Sequence, residues 1–292
     1  RSIKGLLFAY GMIIIPFGFL LWFAIIPFLI GVSKSFYSYN GGNIDRLNGL
    51  DNFVNLIVME PLFWPSVANG LLLMAVAVTM TTIVPLAAAW MVHHIPSAGY
   101  QYFFRIAVMV PVIVPAVVLI LVWQQILKPE GVINVVLRAL GLGSLAHNWF
   151  GDSDVALFGL MLVGLPFLVG INCLLYLGGL ASVPRELYEA TQLDGAGRWS
   201  AFSRVELPYL VPQIRIIVTL GVIGGLQSYE GVLILTQGGP ADATVVPGLL
   251  LFRSAFSYGQ LGYANAIGLM ILLITLTVLG LIMFIRKVST RG

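Results

Sequence analysis

The stretch PRELYEATQLDG, residues 184–195, is followed nine residues later by VELP, residues 205–208, and the whole polar segment lies between two long apolar runs. Pro184 suits the first turn of a helix, where its missing N–H costs nothing, and Gly195 stops that helix by taking a left-handed conformation. Asp194-Gly195 then forms the bend. From Ala196 onward, Trp199, Phe202 and Val205 recur at three-residue spacing beside Arg198 and Arg204, which predicts a second helix with an apolar stripe. Such a stripe fits a groove in a partner. The alternative is a helix lying on a membrane surface, with aromatic and basic residues at the interface.

The rest of the chain is much more apolar. It is 59% hydrophobic and 9% charged, with mean hydropathy +0.97, whereas a soluble domain is about 25% charged. No soluble fold hides that much apolar surface, so a membrane protein is predicted. The net charge of +3 is spread along the chain and makes no nucleic-acid footprint. Cys173 is alone in an apolar run, where it forms neither an internal disulfide nor a thiolate cluster and reads as a small packing residue.

A helix needs about 20 mainly apolar residues to cross the hydrocarbon core. Six such spans are predicted, over residues 6–32, 66–92, 104–127, 155–177, 211–235 and 263–285. The first exceeds the about 7–15 residues of a signal-peptide core and is expected to stay in the mature protein. The missing initiator methionine implies a longer natural amino terminus. His93, His94, Pro96 and Gly99 mark a short turn after the second span, with the two histidines expected at the level of the lipid headgroups. Ten of the fifteen Lys and Arg residues fall on one side of this topology: Arg1, Lys4, Arg105, Arg185, Arg198, Arg204, Arg215, Arg286, Lys287 and Arg291. That side is therefore cytoplasmic and holds both termini and the 184–208 segment.

Nothing in the sequence binds a nucleotide. A P-loop needs glycine immediately before its lysine, and none of Lys4, Lys34, Lys128 or Lys287 follows one. There is no zinc-protease helix or G-x-S-x-G elbow, and His93, His94 and His147 lack metal-ligand spacing. The chain is not expected to be an enzyme or to carry a cofactor or metal of its own.

Set against the pattern E-A-A-x3-G-x9-I-x-L-P, the polar segment keeps Glu189, Ala190, Gly195, Leu207 and Pro208, with Thr191 in place of the second alanine and Val205 in place of the isoleucine. A chance match of this kind arises about once in ten thousand such chains. The segment resembles the cytoplasmic coupling loop of permease subunits in ATP-binding-cassette (ABC) importers. LTQGGP, residues 235–240, followed by Thr244, resembles the L-T-x-G-G-P signature of carbohydrate-importing permeases of the maltose and glycerol-phosphate type. GLDNF (49–53), SVANGL (66–71) and GYANA (262–266) are similar to the same family.

This resemblance implies an all-α polytopic membrane protein with six transmembrane helices and the type I ABC importer permease architecture. Residues 1–292 would form one transmembrane domain, with the coupling loop at 178–210 inside it. Glu189, Ala190, Asp194, Gly195, Leu207 and Pro208 would meet the ATPase subunits. The implied partners are a second, non-identical permease, two cytoplasmic ATPase subunits that bind ATP and Mg, an extracytoplasmic solute-binding protein and a sugar. The implied location is a bacterial or archaeal cytoplasmic membrane. Gly221 and Gly225, four residues apart, are expected to allow close helix approach at the interface with the second permease.

A sugar offers hydroxyls and flat apolar ring faces, so its path needs amides, carboxylates and aromatics near a water-filled cavity. Gln227, Ser228 and Glu230 supply such groups in the fifth span, and an ionisable residue within a span is costly unless it meets water or a partner. Glu230 near the outer interface is the alternative. In the fourth span VGLPF, residues 163–167, is similar to a G-x-P-aromatic element from which maltose-type permeases contact sugar. This makes Gly164 and Phe167 candidates, against a reading in which Pro166 only kinks the helix and Phe167 only packs. Asn172, Trp123, Gln124 and Gln125 follow, with Trp123 alternatively in the outer aromatic belt. Two other functions stay open: an ion-coupled secondary transporter using Glu230, which calls for discontinuous spans in matching positions of inverted repeats, and a membrane scaffold without transport.

Overall fold

The computed structural model describes residues 3–42, 46–165, 170–193, 195 and 197–289. Among these, regular structure is helical apart from one antiparallel strand pair, Tyr37–Ser38 with Arg46–Leu47, in which Tyr37 stands opposite Leu47. Five stretches are long and apolar enough to cross a membrane: Tyr10–Lys34, Phe63–His93, Ala116–Ala139, Val211–Leu235 and Leu261–Phe284. The sequence predicts six spans, and three of them, the third, fourth and fifth, are interrupted within the described residues. Residues 104–127 divide into the helices Ala98–Met109 and Ala116–Leu127, joined by a 3-10 turn at Val110–Ile113. Pro111 and Pro115 supply no backbone donor there. Residues 155–177 divide into Ala156–Leu162 and Gly170–Ala181, and Gly164 at the break has φ +90°, a conformation that only glycine takes without strain.

The chain forms two compact units, residues 1–64 with 250–274, and 65–249 with 275–292. In the first unit, two of the motif stretches fix the backbone at residues 35–39. Asn52 of GLDNF is buried and donates through Nδ2 to the carbonyls of Ser35 at 2.8 Å and Tyr37 at 3.0 Å. Gly262 of GYANA donates its N–H to the Tyr39 carbonyl at 2.8 Å, and a Cβ at this position would run into the Tyr37 carbonyl oxygen. Gly262 is thus demanded by the close approach of this loop to the start of the Leu261–Ser289 helix, while Asn52 ties the loop to the short helix Asp51–Val54.

The second unit treats its motifs in the same way. Asn69 of SVANGL donates to the carbonyls of Ala243 at 2.9 Å and Val245 at 3.0 Å, which pins the loop after LTQGGP to the Phe63–His93 helix. Thr244 Oγ1 donates to the Gly239 carbonyl at 2.9 Å and lies 2.8 Å from Thr236 Oγ1, from which it can accept. In lipid, helices associate by close packing because apolar burial gains little there. Gly221 and Gly225 serve this inside the chain: a Cβ would lie 3.1 Å from Val78 Cγ2 and 2.9 Å from Met74 Cγ, respectively. Within this chain their close approach is to the Phe63–His93 helix.

Ala89, Val92, Cys173, Tyr176, Leu177, Leu180, Leu210 and Ile217 form one buried cluster. It joins the end of Phe63–His93, the helix Gly170–Ala181 and the start of Val211–Gln227. Gly179 permits the contact, since a Cβ there would be 2.6 Å from Leu210 Cδ2. Cys173 packs in this cluster, as expected. Trp123 is buried beside Leu127 and Trp149 and does not stand in an exposed aromatic belt. Trp149 Nε1 donates to Asn134 Oδ1 at 2.9 Å, and Asn134 Nδ2 donates to the His147 carbonyl at 2.7 Å, so this knot organises the loop before the broken fourth span.

Candidate coupling site and substrate path

The polar segment folds as a helix, a bend and a second helix. Arg185–Leu193 begins directly after Pro184, and Gly195 takes φ +68°, the left-handed conformation its position predicts. Arg198–Ala201 then continues through a π-helical stretch, Phe202–Glu206, and Leu207–Tyr209 towards the fifth span. Asp194 lies outside the described residues. Glu189 and Ala190 are exposed on the first helix, and Glu189 accepts from Arg185 Nε at 3.0 Å one turn earlier. Leu207 is half-buried and Pro208 exposed. Leu193 at 89% and Trp199 at 73% exposure flank the bend, leaving apolar surface uncovered. The predicted stripe is thus divided. Trp199 faces outward, while Phe202 packs against it in a tilted arrangement at 5.3 Å and meets Trp90 edge-on at 5.8 Å.

Below the bend lies an arrangement that sequence reasoning missed. Glu206, at the variable position of V-x-L-P, is fully buried. Its Oε1 accepts from Tyr188 Oη at 3.0 Å and stands 3.2 Å from His94 Nε2. One oxygen therefore ties together the first coupling helix, the second coupling helix and the end of Phe63–His93. Oε2 is buried with no hydrogen-bond partner. Burial first, and then the Glu206 carboxylate and its hydrogen bond, push the Tyr188 phenol far above its usual range, so it stays protonated and donates. His94 is half-buried, with its ring centroid 4.9 Å from that of Trp90. The signal available beforehand was the charge itself: a glutamate and a histidine, each beside a span.

The substrate candidates separate. A cavity of about 230 Å3 is lined by Ser228 and Glu230 together with Leu73, Met80, Leu160 and Val163. Ser228, at ψ 129°, ends the helix Val211–Gln227, and the helix resumes at Glu230. The fifth span is thus interrupted where it borders the cavity, the setting in which irregular backbone at membrane depth is tolerated. Gln227 is exposed but does not line the cavity. Asn172 is turned elsewhere, donating through Nδ2 to the Thr81 carbonyl at 3.0 Å. Gly164 lies between the lining residues Val163 and Leu165, and Phe167 falls outside the described residues. Among the described residues, no group of three His, Cys, Asp or Glu side chains is placed to hold a metal ion.

An exposed polar bend between apolar spans, together with a cavity bordered by broken helices, fits the membrane-embedded part of a transporter. Comparison with known proteins agrees. The chain is 31% identical over 271 residues to the "Probable ABC transporter permease protein YurN" of Bacillus subtilis strain 168, covering 90% of this chain and 92% of that one. It is 30% identical over 290 residues to the diacetylchitobiose uptake system permease protein NgcF of Streptomyces coelicolor, covering 95% and 82%. Its fold matches a chain of a bacterial ABC transporter involved in the import of the acidic polysaccharide alginate, with TM-score 0.80 over 99% of this chain and 97% of that one at 24% identity. No protein-family model matches the chain. The chain belongs to the family of ABC transporter permeases and is a multi-pass membrane protein.

Proposed function

We propose that this chain is one of two non-identical permease subunits of an ATP-driven, binding-protein-dependent importer of sugars or oligosaccharides. The carrying observation is the exposed bend with Leu193 and Trp199 uncovered, joined through buried Glu206 to the end of a span. In this reading residues 1–292 act as one permease domain, both termini and residues 178–210 face the cytoplasm, and Glu189, Ala190, Asp194, Gly195, Leu207 and Pro208 form the surface that meets an ATPase subunit. The two ATPase subunits hold ATP and Mg. Their closure displaces the bend, and the cavity beside Ser228 and Glu230 opens to receive sugar from an external binding protein.

Several features support the carbohydrate class. NgcF is a permease of a diacetylchitobiose uptake system, MsmF of Streptococcus mutans belongs to a multiple sugar-binding transport system, and LacF of Rhizobium radiobacter to a lactose transport system. The cavity of about 230 Å3 is smaller than the about 300–1,000 Å3 of whole ligand pockets, as one wall of a shared path would be. Ser228 and Glu230 offer hydrogen bonds to hydroxyls. Gly164 sits at the neighbouring break, between lining residues of the cavity. Asn172 holds the fourth span to the second.

The test is uptake of labelled oligosaccharides into proteoliposomes containing the assembled complex and its binding protein. Uptake that needs ATP and survives an uncoupler supports the proposal. Uptake that follows an ion gradient without ATP restores the secondary-transporter reading, and no uptake of any sugar removes the carbohydrate assignment.

A further inference from the structure

The protonation of the His94–Glu206 contact is fixed by its neighbours. His94 Nδ1 lies 2.9 Å from the Trp90 carbonyl oxygen, which only accepts, so Nδ1 carries a hydrogen. Nε2 lies 3.2 Å from Glu206 Oε1. A neutral His94 with hydrogen on Nδ1 presents a lone pair at Nε2, and an ionised Glu206 presents lone pairs at Oε1. Facing one another, these two acceptors repel, with Glu206 fully buried and water unable to intervene freely. The contact therefore needs one further proton on the Nε2 to Oε1 line, held either as imidazolium with carboxylate or as neutral imidazole with carboxylic acid. Tyr188 adds a donor to the same oxygen but none to this line.

We propose that this single proton is a latch: while it is present, the coupling segment is fastened to the end of the Phe63–His93 helix, and when it leaves, the fastening between them is lost. The inference rests on the permease reading above and makes His94 and Glu206 positioning residues for coupling. At Oε1 the end of that span, the first coupling helix and the second coupling helix meet through polar atoms. With the proton present, displacement of the exposed bend is carried to the span through a short directed contact. With it gone, the aromatic packing of Trp90 on Phe202 remains, which resists compression but transmits pull poorly. The other titratable or charged groups facing this pair are His93, whose ring centroid is 5.3 Å from that of His94, Arg105, which acts electrostatically on His93, and Tyr188.

The sign follows directly. Rising cytoplasmic pH removes the proton, so coupling is strong on the acid side and falls on the alkaline side. Two substitutions take the proton out of the contact without removing it. In His94→Gln the amide N–H donates to the carboxylate at every pH. In Glu206→Gln the amide donates to neutral His94 Nε2, and Tyr188 turns its hydroxyl to accept.

The experiment measures the ratio of sugar-stimulated to basal ATP hydrolysis across about pH 6 to 9. It uses the assembled complex with saturating binding protein, for wild type, His94→Gln, Glu206→Gln and His93→Gln. Taking the ratio cancels the pH response of the ATPase subunits. The latch predicts that the wild-type ratio declines with pH by up to about ten-fold per unit, the limit for one proton. It also predicts that His94→Gln and Glu206→Gln are flat and that His93→Gln keeps the wild-type decline. Either flat variant suffices if the other fails to assemble. Identical profiles in wild type and His94→Gln overturn the latch while leaving the permease reading intact, as does a profile flattened by His93→Gln alone. A wild-type complex without stimulation at any pH overturns the permease reading beneath it and the latch together.

Discussion

Glu189 and Gly195 contribute to the coupling segment in different ways. Glu189 is exposed and pairs only with exposed Arg185 one helical turn away, an arrangement that adds about 0.3–0.5 kcal/mol. Glu189→Lys is therefore expected to leave thermal stability and assembly nearly unchanged, as read by melting of the purified complex, while removing an acid that the ATPase surface would meet. Gly195 is needed for its conformation: at φ +68° with open space around it, an alanine costs about 1–2 kcal/mol through the left-handed backbone alone. This glycine was legible in the sequence because helix, bend and helix demand a left-handed residue at that place. Glu206 was not. A glutamate at the variable position of V-x-L-P looks solvated until its partner is known, and His94 belongs to a different loop, so no local pattern connects them. Glu230 is the residue-scale test of the path. Glu230→Gln in a correctly assembled complex is expected to raise the sugar concentration giving half-maximal uptake by about ten-fold, the loss of a charge-assisted hydrogen bond of about 1.4 kcal/mol. An unchanged value places the residue outside the path.

At the scale of elements, two adjacent glycines in the fifth span make opposite predictions. A Cβ on Gly225 meets Met74 at 2.9 Å, whereas one on Gly224 meets nothing within 4 Å. Gly225→Ala is expected to lower the melting temperature of the solubilised complex, because overpacking costs about 1–3 kcal/mol, and Gly224→Ala to stay within about 0.5 kcal/mol of wild type. Asn69→Ala frees the Ala243 and Val245 carbonyls together and is expected to speed proteolysis within residues 236–246. Hydropathy located the long apolar runs but passed over their interruptions, because an average over about 20 residues does not register a few extended ones. The breaks at Pro111 and Pro115, at Gly164 and at Ser228 are set by missing donors, a positive φ and an extended ψ. Discontinuous spans were what the ion-coupled alternative called for, and they do occur. Here the breaks at Gly164 and Ser228 border one cavity. The motifs GLDNF, SVANGL and GYANA were legible as family features, but their work as backbone clamps through Asn52, Asn69 and Gly262 required the folded contacts.

For the whole molecule, the asymmetry of Lys and Arg predicts one orientation and composition alone predicts the membrane. In a Cys173→Ala background, Leu193→Cys is expected to react with an impermeant thiol reagent only from the cytoplasmic side and Leu142→Cys only from outside; both positions are exposed. Reaction from the opposite sides reverses the topology and separates the bend from any cytoplasmic ATPase. The central claim is that the bend of residues 184–208 passes the energy of ATP hydrolysis to a sugar path. The most direct measurement is sugar-stimulated ATP hydrolysis in proteoliposomes holding the chain with its second permease, its ATPase subunits and saturating binding protein, comparing wild type with Glu189→Lys and Gly195→Asp. The account predicts that both variants assemble and lose stimulation while the ATPase subunits still hydrolyse ATP at their basal rate. Full stimulation in an assembled complex carrying either substitution contradicts it.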